Sequence, residues 1–150
     1  MGTFYICPTP IGNLNDISTR LVQVLSEVNI VYAEDTRVAK KLLSHLNQKK
    51  EVRSYFKGNE VKKIDEILNF LEDNKSIAMI SDAGSPLISD PGSTLVKELI
   101  KRNVEIVSIP GPSSVIVSLT LSGFDTEKFT FLGFVPKSGK ERAQFFNNIQ

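Results

Sequence analysis

Apolar residues in this chain recur with two alternating periods. Runs in which most residues are apolar stand at 3–7, 29–33, 76–81 and 104–109, with a weaker one at 52–56. Between them, apolar positions fall three and four apart. Ile17, Leu21, Val24, Leu25 and Val28 form one set, and Val61, Ile64, Ile67, Leu68 and Leu71 another. Leu95, Val96, Leu99 and Ile100 form a third, and 36–46 has the same character. The dense runs read as buried strands and the spaced sets as helices with one apolar face. A further helix, apolar throughout, is predicted over 113–122 and stops at Gly123. Asp16, Thr36, Asn59 and Ser93 or Thr94 stand where helices should start, and Asn47 and Asn103 where two should stop. Strand and helix thus alternate about five times, which predicts an α/β fold: a parallel sheet with helices on both faces.

Near residue 124 the pattern changes. A polar link at 125–128 precedes an alternating stretch at 129–135, which predicts a new strand. Pro136, Ser138 and Gly139 mark a turn, and a helix is predicted from Glu141 to the last residue with no stop signal. The expected organisation is an N-terminal α/β domain over 1–123, then a hinge and the start of a second, truncated α/β domain over 124–150.

Three predicted strands empty into loops of unusual chemistry. The first continues as Pro8-Thr9-Pro10-Ile11-Gly12-Asn13-Leu14. The fourth continues as Ser81-Asp82-Ala83-Gly84-Ser85-Pro86-Leu87-Ile88-Ser89-Asp90-Pro91-Gly92, and the fifth as Pro110-Gly111-Pro112-Ser113-Ser114. Proline and glycine constrain such loops. In a parallel sheet all three lie on the carboxyl edge, where α/β folds bind ligands. They therefore predict a binding crevice.

Composition narrows the chemistry. The chain has 150 residues, 41% hydrophobic and 23% charged, the profile of a globular domain. No apolar stretch approaches the ~20 residues that cross a bilayer, so no membrane partner is expected. One cysteine (Cys7) and one histidine (His45) leave little for a disulfide, a metal site or a histidine-based triad. No metal is expected, and a cytoplasmic setting is. The dinucleotide-binding glycine fingerprint is missing. The segment 133–140 has five residues between its glycines where a phosphate loop has four, and Glu141 stands where Ser or Thr is required. Net charge is only +1, yet 37–57 holds Arg37, Lys40, Lys41, Lys49, Lys50, Arg53 and Lys57 against Glu51 alone. Such a segment is either a solvated helix face or a nucleic-acid contact. Lys40 and Lys41, early on their helix, lie nearer the ligand edge than Lys49 and Lys50.

Four segments in order carry a family resemblance: Thr9-Pro10-Ile11-Gly12-Asn13-Leu14, Glu34-Asp35-Thr36-Arg37, the stretch 81–92, and Ile109-Pro110-Gly111-Pro112-Ser113-Ser114. With these, the chain resembles the bacterial 16S ribosomal RNA (cytidine-2'-O)-methyltransferases of the tetrapyrrole methylase superfamily, the class III S-adenosylmethionine-dependent methyltransferases. The resemblance implies the first half of a two-domain fold, with S-adenosyl-L-methionine in the cleft between the domains. It implies that Pro10, Ile11, Gly84, Ser85, Ile88, Ser113 and Ser114 contact the cofactor. Glu34, Asp35 and Arg37 are then candidate catalytic residues, and Lys40, Lys41 and Lys57 candidate RNA contacts. A cap for the next helix is the competing role of Asp35 or Thr36, as a helix N-cap is for Ser113 and Ser114. The implied partners are 16S rRNA or the small ribosomal subunit and a second copy in a homodimer. A tetrapyrrole or protein side-chain methylase, or a non-catalytic dimerising or RNA-binding domain, are the alternatives. With one wall of the cleft, the isolated chain is expected to bind cofactor weakly. One departure stands out: where the family carries a histidine-acid-histidine run before an Asn-Glu pair, this chain has Phe56-Lys57-Gly58 before Asn59-Glu60.

Overall fold

The computed structural model describes residues 1–149. They divide into two compact units, the first Met1–Ser114 and the second from Val115 onward. In the first, five strands form one sheet: β1 (Phe4–Cys7), β2 (Ile30–Ala33), β3 (Glu51–Ser54), β4 (Ile77–Ile80) and β5 (Ile106–Ser108). Every pairing is parallel, in the order β3-β2-β4-β1-β5. The α/β reading therefore holds. The three inner strands are apolar at nearly every position because both faces are covered. The edges β3 and β5 are more polar and partly exposed, as unpaired strand edges require.

Four helices cover the sheet: α1 (Thr19–Glu27), α2 (Thr36–His45), α3 (Glu60–Glu72) and α4 (Ser93–Lys101). Alternate strand residues sort into two cores. Phe4, Ile6, Tyr32, Ile77 and Met79 pack with α3 and α4, while Cys7, Val31, Ala33, Ala78 and Ile80 pack with α1 and α2. Positive φ at Asn47, Asn74 and Asn103 ends α2, α3 and α4, a conformation that Asn tolerates. Starts differ more from expectation. Asp16 does not cap α1, because Asn13 first caps a short 3-10 turn, Leu14–Asp16, and Ser18 then accepts from Leu21 N at 3.1 Å. Asp35 rather than Thr36 caps α2, its carboxylate accepting from Arg37 N at 2.8 Å. Asn59 precedes α3 but makes no cap bond. Its side chain instead accepts from Phe56 N and donates to Ser54 O.

The apolar helix α5 (Ser114–Leu121) begins at the end of the first unit. The second unit also holds α6 (Gly139–Asn147). The strand expected at 129–135 is absent. A strand is held by a ladder to a neighbour, and the described residues of this unit contain only helices and irregular chain. Phe129, Phe131, Leu132 and Phe134 are exposed.

One polar network ties β2 and β3 to α3. Glu66 accepts from Tyr32 Oη at 2.6 Å, Arg53 at 2.9 Å and Lys63 at 2.7 Å. Burial opposes ionisation of Glu66, but these hydrogen bonds outweigh it and draw its pKa down to about 2. A depressed carboxyl stabilises the fold above its unfolded value, ordinarily 4.5, and loses that contribution as pH falls toward about 2. The chain should therefore lose urea resistance between pH 5 and pH 3. Glu66→Gln should start lower at pH 5 and fall less; a parallel fall in both proteins would exclude Glu66 as a source of acid sensitivity.

Candidate functional site at the carboxyl edge of the sheet

The connections leaving β1 and β4 diverge. From β1 the chain passes through α1 to β2 on one face, and from β4 through α4 to β5 on the other. Adjacent parallel strands whose connections depart to opposite faces open a crevice beyond their carboxyl ends. Residues 8–14 and 81–92 flank this point.

The loops there are fastened to one another. Thr9 and Gly84 exchange backbone hydrogen bonds at 2.9 and 3.0 Å. Thr9 Oγ1 donates to Ser81 O at 3.0 Å, and Ser81 Oγ donates to Gly84 O at 2.6 Å. The β5 loop closes on the β1 loop so tightly that a Cβ on Gly111 would stand 2.8 Å from Pro8 Cβ. Asp35 N donates to Asp82 Oδ1 at 3.2 Å, joining the β2 loop to the β4 loop. At the far end of the 81–92 segment, Glu60 accepts from Gly92 N at 2.9 Å. Between these anchors Leu87 and Ser89 hold φ of 73° and 66°. A bulky residue rarely adopts this conformation, and such strain gathers at functional sites.

This edge assembles most of the residues singled out from the sequence. Pro10 and Ile11 lie in the β1 loop, and Gly84, Ser85 and Ile88 in the β4 loop, with Ile88 more than half exposed. Ser113 ends the β5 loop and Ser114 opens α5. Glu34, Asp35 and Arg37 follow β2 on the same edge.

Two cavities open beside the loops. One of about 260 Å³ is lined by Thr9, Pro10, Leu14, Val38, Ala39, Lys41, Leu42, Ile80, Ser81 and Asp82. The other, about 390 Å³, is lined by Glu34, Lys57, Glu60, Ser89, Asp90, Pro91 and Ser93. The lysines are thus dispersed. Lys41 faces the first cavity and Lys57 the second. Lys40 borders a groove with Lys49 and Lys50 around the C-terminal half of α2. Lys50 is structural, its Nζ donating to the Ser26 and Val28 carbonyls at 2.6 and 2.7 Å.

The acidic residues differ in chemistry. Asp35 is gripped by Arg37, with Nε–Oδ1 at 3.0 Å and Nη2–Oδ2 at 2.6 Å. These side-chain bonds, with the cap bond, hold its carboxyl far below the ordinary range. Glu34 behaves oppositely: partial desolvation, then the neighbouring Asp90 and Asp82, push its pKa up. Asp90 is raised too, by burial and by Asp82. Of the three candidates after β2, Glu34 is the carboxylate suited to accept a proton. Asp82 and Asp90 were not singled out from the sequence, where nothing marks them within the 81–92 loop. Glu60 was named only as the second member of the Asn-Glu pair, and its contact with Gly92 places it at this edge.

The edge suits S-adenosylmethionine. Its exposed Ile88 offers apolar contact, and Ser85, Ser113 and Ser114 carry small hydroxyls. The positive φ of Gly84 (79°) lets the backbone approach closely without a Cβ.

Comparison with known proteins agrees with this geometry. Residues 3–149 match the family of Tetrapyrrole (Corrin/Porphyrin) Methylases. The chain is 42% identical over 149 residues to a ribosomal RNA small subunit methyltransferase I of Buchnera aphidicola, covering 99% of this chain and 52% of the relative. It is 43% identical over 150 residues to a protein of that name from Thermotoga maritima, covering 100% of this chain and 67% of the relative. The chain thus spans about half to two thirds of the length of these relatives. The fold also resembles a solved uroporphyrin-III-C-methyltransferase from Thermus thermophilus. That match has a TM-score of 0.62 at 17% identity and covers 83% of this chain and 54% of the other. By sequence across nearly its full length, and by the architecture of its sheet, this chain belongs to the tetrapyrrole methylase family.

Proposed function

We propose that this chain is the N-terminal part of an S-adenosylmethionine-dependent methyltransferase that modifies a ribose 2'-hydroxyl of a cytidine in 16S rRNA. The observation that carries the reading is the fastened set of loops at the carboxyl ends of β1 and β4, in a chain over 40% identical to rRNA small subunit methyltransferases. Residues 1–123 form its first domain, and 124–150 the hinge and the start of the second. The enzyme works in the cytoplasm as a homodimer on 16S rRNA or the small ribosomal subunit.

Bound at this edge, S-adenosylmethionine supplies a methyl group activated by a positively charged sulfur. The protein aligns acceptor with donor and keeps water out, which is how cofactor-driven transfers are accelerated. Pro10, Ile11, Gly84, Ser85, Ile88, Ser113 and Ser114 hold the cofactor. Glu34 would take the proton that a ribose hydroxyl gives up as the methyl carbon passes from sulfur to its oxygen, the S–C bond breaking to leave a neutral thioether. Asp35 stays ionised and, paired with Arg37, fixes the turn from which Glu34 projects. Lys40, Lys41 and Lys57 contact the RNA, Lys40 and Lys57 at its phosphates.

The test uses this chain and a form extended to the length of the relatives. The extended form should transfer labelled methyl from S-adenosylmethionine to 16S RNA, with the label on a cytidine 2'-oxygen. Ser85→Trp should abolish transfer and cofactor binding while the circular dichroism spectrum is kept, because bulk at a loop position blocks the site without opening the core. No incorporation by the extended form, or a fully active Ser85→Trp, contradicts the proposal.

A further inference from the structure

The cavity of about 260 Å³ between the β1 loop, the β4 loop and α2 has walls of one kind and a mouth of another. Pro10, Leu14, Val38, Leu42 and Ile80 make the walls apolar. The polar groups of Thr9 and Ser81 are spent within the loops, Thr9 Oγ1 on Ser81 O and Ser81 Oγ on Gly84 O. Two charged groups remain. Asp82 uses Oδ1 to accept from Asp35 N, and among the described residues no hydrogen bond or ion pair engages Oδ2, with the Arg37 guanidinium near enough to feel its charge. Lys41, also on the lining, pairs with no carboxylate among the described residues. An apolar slot with one anionic acceptor and one cationic donor at its rim complements a flat heterocycle that carries an exocyclic amine and a ring carbonyl.

We infer that this cavity seats the base of the acceptor nucleotide, with the exocyclic amine donating to Asp82 and the ring carbonyl accepting from Lys41. Cytosine has that edge, and carboxylates accept from its N4 amine. Uracil presents a carbonyl at that position and would face Asp82 with an oxygen. Adenine shares the amine but has no carbonyl for Lys41. The inference rests on the RNA-methylation reading only for the source of the base. Pro10 belongs both to this cavity and to the cofactor-binding set, so a base seated here brings its own ribose to the donor. Asp82 then selects the base rather than taking part in transfer.

The test is nucleoside binding to the 150-residue chain, followed by amide chemical shifts at millimolar cytidine, uridine and adenosine. Cytidine should shift the amides of Thr9, Lys41, Leu42 and Asp82, and bind at least about fivefold more tightly than uridine, the lower end of what one base-edge contact discriminates. Asp82→Asn retains an acceptor for Asp35 N but offers an amide to the base, and should bring cytidine and uridine within about twofold. Val38→Trp should fill the cavity and remove the cytidine response with the helical circular dichroism signal intact. No cytidine response in the unmodified chain, an undiminished preference in Asp82→Asn, or tighter binding of adenosine than of cytidine would each overturn the assignment. RNA methylation by the extended form without a cytidine response would discard this base seat and leave the methyltransferase reading standing. A cytidine response without methylation would support the seat and discard the reading.

Discussion

Phe4→Ala should lower the unfolding free energy of the first unit by about 3–5 kcal/mol, the range for emptying an aromatic site in a closed core. Phe4 is fully buried, opposite Ile77 on β4 and Ile106 on β5. It sits in the core beneath α3 and α4. Strands on both sides and helices above leave the site little room to collapse, so the cost should lie toward the upper end. Domains of this size hold about 5–15 kcal/mol in total, so the variant should unfold at a clearly lower urea concentration. Phe131→Ala is the control. Phe131 is exposed, and its replacement should change stability by less than about 0.5 kcal/mol. Equal urea midpoints for the two variants would show that the β1 side chain is not the keystone of this core.

The second large effect is expected at Gly84. Its φ of 79° belongs to the left-handed region, and a Cβ there would stand 3.5 Å from Ile11 Cγ2 and 3.9 Å from Pro112 O. Contact alone would be tolerable. Backbone strain is the problem, worth about 1–3 kcal/mol and worst for a β-branched residue. Gly84→Val would relieve it by breaking the paired hydrogen bonds to Thr9, which join two of the three loops. The core does not depend on that pair. The variant should therefore remain folded while the extended form loses at least about tenfold in S-adenosylmethionine affinity. Calorimetric titration decides, with Gly84→Ala expected between the two. Unchanged affinity in Gly84→Val would separate the clasp from the ligand site.

Sequence and structure agree where local pattern and tertiary context say the same thing. The three inner strands were legible because a strand covered on both faces has no polar alternation to confuse it, and Asn47 and Asn103 marked helix ends by a property of Asn itself. Expectation failed where the deciding partner was distant or locally ambiguous. Asp16 and Ser18 both suit an N-cap, and only the intervening 3-10 turn decides between them. The alternation at 129–135 is a proper strand pattern, but a ladder needs a second strand to exist. The candidate site divides the same way. Its loops could be read from Pro and Gly after apolar runs. The roles of Asp82, Asp90 and Glu60 arise from contacts across the edge, to Asp35, Glu34 and Gly92.

The order of the sheet also governs how the chain reaches its native state. β1 precedes the other strands of this sheet in sequence, yet it pairs with β4 and β5, the two that come latest among the five. The clasp from Thr9 to Ser81 spans 72 residues. β2 and β3, neighbours in sequence, can pair early, but the centre of the sheet waits for residue 77 and beyond. Until then Phe4, Ile6 and Cys7 have no strand to pair with. A topology this non-local folds slowly, and a nascent chain that stalls before β4 presents an unpaired apolar strand to its surroundings.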